Sequence, residues 1–350
     1  MKSMLLAGLG ALTLVAQPAT AGDAELLTSG EIELSFKAHR NWTVLLPSER
    51  FTKVGTEFPF AHAGGTGFAA ELRGSSLAVD TDGDGQSDIE LLSADADASQ
   101  GKVVTVTFRT EDVTRSVRLI HDGAWKFAPA SSVSGKIGDT KIQLIDQNNN
   151  GRYDDFGADA MIVGRGKVAS YLSNVINVGG ELYSLDIDAN GSSLSYEPFA
   201  GEAGTLDFVS GYETDAKLSA VVVKHASGSY SFNLAKSKKG MKVPTGHYTL
   251  ESGKVVLGKG DVVIESGRSM PIQVEADQTA VYKWGGPLDA EFAYARAGGQ
   301  LQFNPNEVWY YGGGGERYVG WNPRGKSPEF VIKEKETGEV LVNATFPGSC

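Results

Sequence analysis

Short apolar runs of period two dominate the chain. Glu31-Ile32-Glu33-Leu34-Ser35-Phe36 alternates strictly, and Val104, Val106 and Phe108 alternate with Thr105, Thr107 and Arg109. A Glu111-Asp112 turn follows, with a return through Val117 and Leu119. Period two puts successive side chains on opposite faces, so these segments predict half-buried strands, the second pair a hairpin. One stretch departs from this. Between Lys167 and Val178 the apolar residues Val168, Tyr171, Leu172, Val175 and Ile176 recur at spacings of three and four, which predicts a short helix. Elsewhere Gly, Asn, Asp and Ser punctuate the runs, and glycine alone supplies 44 residues. The texture is all-β.

Later segments repeat that texture. Leu218 to Val223 predicts a strand before the Lys236–Gly240 turn, and Val262-Val263-Ile264, Ile272-Gln273-Val274, Val281–Trp284 and Phe292-Ala293-Tyr294 predict more. Phe330–Lys333 and Val340–Phe346 predict a terminal hairpin turning at Thr337-Gly338.

Against this background the stretch Asp80-Thr81-Asp82-Gly83-Asp84-Gly85-Gln86-Ser87-Asp88 carries the clearest chemistry. Carboxylates at positions one, three, five and nine with glycine at six let one tight loop turn its oxygens inward around a hard cation, with the carbonyl of Gln86 adding another. Asp146-Gln147-Asn148-Asn149-Asn150-Gly151-Arg152-Tyr153-Asp154 repeats the spacing, with Asn148 and Asn150 at positions three and five and Arg152 at seven. One chance match in a chain of this length has odds on the order of one in a thousand, and two are not accidental. The cation expected is Ca2+, bound in the weak extracellular range of about 0.1–1 mM. The alternative is a pair of solvated acidic turns. Four carboxylates so close repel by about 1 kcal/mol per near pair even in water, and a cation converts that cost into attraction. A third stretch, Asp186–Gly191, lacks the ninth ligand and predicts a β-turn.

Position twelve is Leu91 in one loop and Gly157 in the other, where a standard EF-hand has Glu, and Ser76–Val79, Ile89–Leu92 and Lys141–Ile145 flank the loops as strands. The loops resemble the EF-hand-like and thrombospondin type-3-like calcium loops of secreted proteins over about nine residues each. The closing ligand of the second falls to Asp155 or Asp159. The run Val243-Pro244-Thr245-Gly246-His247-Tyr248-Thr249-Leu250 resembles the closing strand of a carboxypeptidase-regulatory-like, prealbumin-like β-sandwich, which implies an accessory, non-catalytic module. The expected fold is therefore all-β, a tandem of immunoglobulin-like or prealbumin-like β-sandwich domains with calcium loops between strands. The expected domains are 22–203 with both loops, a prealbumin-like module over 204–254, and an immunoglobulin-like sandwich over 255–350.

Lys2, an apolar run from Met4 to Ala16 and Ala19-Thr20-Ala21 have the form of an export signal over residues 1–21, cleaved before Gly22, so the expected location is periplasmic or secreted. No later apolar run reaches the length of a membrane span. The formal charge of −11 excludes nucleic acid as a natural partner and agrees with a bound cation. The expected partners are calcium and an extracellular protein or glycan. The single cysteine, Cys350, leaves no internal disulfide to hold the cores.

Catalytic signatures are weak. His39, His62, His121, His225 and His247 stand singly, and neither a Gly-x-Ser-x-Gly elbow nor a His-Glu-x-x-His helix occurs. Leu77–Asp82 has a superficial likeness to the nucleophile strand of haloacid-dehalogenase-type phosphatases, but Asp84 stands where that family wants Thr or Val. The rival to a calcium-binding, non-catalytic role is carbohydrate binding or glycoside hydrolysis through the aromatic stretch 309–321. There Trp309, Tyr310, Tyr311, Tyr318 and Trp321 surround the run Gly312–Gly315. Strand alternation would send at least half of these rings into a core.

Overall fold

The computed structural model describes residues 27–39, 41–320 and 329–345. The expected export signal over 1–21, Trp321 and Cys350 lie outside the described residues. Among those described, the chain is a succession of antiparallel strands with two single-turn 3-10 helices, Ser93–Asp95 and Ala98–Gln100, and no helix is long and apolar enough to cross a membrane.

The first half contains two layered units, each carrying one Asp-rich loop. In the first, a meander of Glu57–Phe58, Phe68–Arg73, Ser76–Val79 and Ile89–Leu92 packs on a sheet ordered Thr52–Lys53, Trp125–Pro129, Thr114–His121, Val104–Arg109. Inward residues of both sheets meet in one core rich in phenylalanine. Phe58 lies 4.7 Å from Phe108 and 5.1 Å from Phe127, ring centre to ring centre. Each such buried ring contributes roughly 1.5–3 kcal/mol by leaving water. The expected hairpin is here, with Val106 facing Val117 and Val104 facing Leu119.

In the second unit a five-stranded sheet runs Ser170–Tyr171, Ala160–Val163, Thr140–Ile145, Ser131–Ile137, Ser35–Ala38, and a four-stranded one runs Gly30–Glu33, Ser193–Pro198, Glu181–Ile187, Val175–Val178. They share a core around Ile142, Leu144, Tyr153, Met161 and Tyr183. Two expectations change here. The alternating stretch 31–36 is not one strand, because the chain crosses at Leu34 from one sheet to the other. The helix expected over Lys167–Val178 is instead the strands Ser170–Tyr171 and Val175–Val178, which belong to different sheets. The spacing of three and four arose from a strand, a connecting turn and a second strand whose inward residues fall out of phase. Of the stretch Asp186–Gly191, the first two residues end the strand Glu181–Ile187, and the turn follows, closed by Gly191 N–H donating to Asp188 O at 2.8 Å.

From Ala203 onward one core unites nearly all the strands. A long sheet runs Ser231–Asn233, Lys217–His225, Gly246–Leu257, Gly260–Glu265, Arg317–Val319, Gln300–Tyr311, Asp289–Ala297. The boundary expected at 254 falls inside Gly246–Leu257, and Tyr248, Leu250, Ile264, Trp284 and Tyr318 share the same interior, so 204–254 and 255–320 form one layered body rather than two modules. The Pro-x-Gly-x-Tyr-x-Leu run does supply a strand entry. Tyr248 and Leu250 are buried on one side, and Tyr248 donates to Pro244 O at 2.9 Å. Gly246 is held at φ +130 where a Cβ would lie 2.1 Å from His225 Nε2, so only glycine fits. Glu329–Lys333 and Val340–Thr345 pair with each other as the expected hairpin.

Candidate metal centre

Both Asp-rich loops connect antiparallel neighbours. The first joins Ser76–Val79 to Ile89–Leu92, with Val79 facing Ile89, and the second joins Thr140–Ile145 to Ala160–Val163, with Ile145 facing Ala160. Strong β pairing on either side fixes the ends, and left-handed residues then tighten the turn. Positions four and six are left-handed in both loops: Gly83 (φ 81) and Gly85 (φ 84), then Asn149 (φ 62) and Gly151 (φ 89). Asparagine tolerates that conformation where most side chains do not. At Gly151 a Cβ would come within 1.8 Å of Pro59 O, so both conformation and space demand glycine.

The first loop organises its carboxylates through backbone N–H groups. Asp80 is buried, and its Oδ2 accepts from Gly85 N at 2.9 Å while its Oδ1 accepts from Gly83 N at 2.7 Å. Asp88 Oδ2 accepts from Thr81 N at 2.6 Å and from its hydroxyl at 2.8 Å, which hold the Asp88 carboxyl below the usual range. Asp80, Asp82 and Asp88 each offer an oxygen within 4.8 Å of the others. Asp84 is not one of this trio, and its carboxylate accepts from Gln86 N at 2.7 Å. The loop rests on neighbours that its spacing did not announce. Arg109 N donates to Thr81 O at 2.8 Å, and a Cβ on Gly83 would lie 2.7 Å from His62 Cε1.

The second loop repeats the scaffold with different neutralisation. Asp146 Oδ2 accepts from Gly151 N at 2.8 Å, the counterpart of the bond from Gly85 to Asp80. The same oxygen takes a bond of 2.8 Å from Arg115 Nη1, and Arg115 Nη2 donates to Gly151 O. That guanidinium is buried against the rings of Phe60, at 5.1 Å, and Tyr153, at 4.3 Å. Burial pushes the Asp146 carboxyl up, opposed by Arg115 and three backbone N–H groups. Asn148 and Asn150 donate through their amides to Asp155 Oδ2 at 2.9 and 2.6 Å. Arg152 forks onto both oxygens of Asp154 at 3.0 and 2.6 Å.

Behind the loop Asp159 is buried and accepts from Gln147 N at 3.1 Å. Burial first, then the charges of Asp146 and Asp155, push it up to about 8. Of the two closing residues expected, both Asp155 and Asp159 therefore adjoin the second loop. Among the described residues the carboxylate trio lies in the first loop.

Two further groups were not legible from spacing. Arg115 sits in a strand whose alternation marks it only as facing opposite to Ser116. Glu316, wholly buried, explains the tetraglycine run. Its oxygens accept from Gly285 N at 2.8 Å, Gly314 N at 3.0 Å and the Tyr318 hydroxyl at 3.0 Å. A Cβ on Gly312 would fall 1.8 Å from Glu316 Oε1, so the run wraps a carboxylate. Two rings of the aromatic stretch beside it are engaged internally. Tyr318 is buried, and Arg268 covers Tyr311 at 4.2 Å. Comparison with protein-family models, curated proteins and solved structures finds no match.

Proposed function

We propose that this is a secreted or periplasmic calcium-binding β protein in which the metal is structural, holding hairpin loops whose carboxylates otherwise repel. One observation carries this reading: Asp80, Asp82 and Asp88 present oxygens within 4.8 Å on a loop already shaped by inward N–H groups. An all-oxygen set on a flexible turn suits Ca2+, which accepts six to eight oxygens, better than Mg2+, which demands strict octahedral geometry. Asp80, Asp82 and Asp88 would bind through carboxylate oxygens and Gln86 through its carbonyl. In the second loop Asp146, Asn148, Asn150, Arg152 (by its carbonyl), Asp154 and Asp159 would do so at lower affinity. The role follows from linkage, since metal held only by the folded loop adds its binding free energy to folding.

Calorimetric titration of calcium into EDTA-stripped protein, paired with thermal melts, tests this. Saturable heat that disappears in Asp80→Ala, with a melting temperature raised by calcium, is the expected result. Neither heat nor a shift at several millimolar calcium would sink the proposal.

A further inference from the structure

A second charged site lies on the five-stranded sheet, on the face turned away from its core. Register sets Lys37 opposite Ser132, Ser134 opposite Gln143 and Lys136 opposite Lys141. Side chains alternate across a strand, so these six share one face, while Val133, Ile142 and Leu144 enter the core from the other. Lys37 Nζ and Lys141 Nζ both donate to Gln143 Oε1, at 3.3 and 3.2 Å. The two ammonium groups can be no farther apart than those two bonds laid end to end.

The base of this site is built rather than solvated. Gln143 and Ser132 are both buried, and His39 Nε2 lies 3.0 Å from Ser132 Oγ. Burial, and then the charges of Lys37, Lys141 and Lys167, lower the pKa of His39. Among the described residues none of Lys37, Lys136, Lys141 or Lys167 makes an ion pair. The convergence has a cost, for desolvation and the neighbouring Lys37 lower Lys141 to about 8. Each ammonium keeps two N–H donors beyond the one given to Gln143.

We propose that this face binds a doubly charged tetrahedral oxyanion, phosphate or sulfate, free or as a monoester, between Lys37 and Lys141 on the platform of Gln143. Gln143 would hold the two cations converged, and the anion would take their remaining donors as charge-assisted hydrogen bonds. Lys136, Lys167 and His39 border the site, and the bound anion would favour the protonated form of Lys141.

The test is calorimetric titration of sodium sulfate, sodium phosphate and glycerol phosphate at fixed ionic strength, with sodium chloride as reference, at about pH 7 and about pH 9. Saturable sulfate binding is expected, weaker at the higher pH. Sulfate remains a dianion throughout, so that loss reads the protein's proton alone. Lys37→Met with Lys141→Met should weaken binding at least about tenfold, and Lys141→Arg should retain it. Tighter binding of glycerol phosphate than of phosphate would identify a monoester as the ligand, and the reverse would identify the free ion. Lys37 is exposed and Lys141 only half-buried, so circular dichroism should be unchanged. A sulfate response equal to that of chloride, or one surviving in the double variant, would overturn the proposal.

Discussion

The two Asp-rich loops share a backbone and differ in what neutralises it. Each has left-handed residues at positions four and six and a first aspartate whose outer oxygen accepts from the glycine N–H. In the first loop that aspartate has only N–H groups for company, and Asp82 and Asp88 crowd it. In the second, Asp146 is paired with Arg115, and positions three and five are amides that donate to Asp155. One scaffold therefore reaches two solutions. Among the described residues the carboxylates of the first loop make no ion pair, whereas the second carries a cation of its own in Arg115.

The largest expected effect comes from removing that internal cation. Arg115→Met would leave Asp146 buried and unpaired, and breaking one side of such a pair costs about 3–5 kcal/mol. Urea denaturation in EDTA should show a loss of this size, largely recovered in the double variant with Asp146→Asn. A single variant as stable as wild type would mean that Arg115 is a bystander and that the loops are more alike than their contacts imply.

Calcium itself ranks next. At free calcium one hundred times Kd, a single site adds about 2.7 kcal/mol, or several degrees in melting temperature for a domain of this size. Asp80→Ala should abolish most of the calcium-dependent rise, and the matching change in the second loop should abolish less of it. Equal losses from both would erase the distinction between the loops.

How far this contrast was legible differs by feature. The ligand spacing, the strand flanks and the hairpin Val104–Leu119 follow from periodicity and turn chemistry, which are local. Arg115 lies 31 positions from Asp146, and nothing in its alternating strand marks it as a counter-ion. Asp84 had the right spacing, yet the trio that meets within 4.8 Å is Asp80, Asp82 and Asp88, a selection that spacing alone does not make. Lys167–Val178 misled for a related reason, as one-dimensional spacing cannot tell a helix face from two strands in different sheets. The boundary expected at 254 failed because glycine punctuation marks turns, while only long-range pairing marks a domain.

A pH titration sharpens the comparison further, since the second loop alone has a strongly raised carboxyl behind it. Asp159 titrates near 8 when folded, against 3.8 for an ordinary aspartate. The folded state therefore holds a proton that the unfolded chain has released. That contribution is complete below about pH 4 and lost as pH rises through about 8, at no more than about 1.4 kcal/mol per pH unit. Metal-free wild type should lose stability across this window relative to Asp159→Asn. Parallel curves for the two proteins would refute the assignment. Calcium bound in the second loop would compete with that proton, so its affinity there should rise with pH.

The smallest expected effect separates side chain from backbone at position seven. That position serves a calcium loop through its carbonyl, so Gln86 and Arg152 would be equivalent as ligands. They differ in what the side chain does: Arg152 forks onto Asp154, the ninth-position carboxylate. The pair is exposed, and such pairs contribute little to folding. Arg152→Gln should therefore leave the melting temperature in EDTA unchanged. It should also free Asp154 and remove a positive charge beside the loop, raising calcium affinity there by about two- to five-fold. A calcium affinity equal to wild type would mean that Asp154 is not a ligand. A weakened one would mean that the fork onto Arg152 holds Asp154 in its binding position, and the second loop would then owe its shape to two arginines.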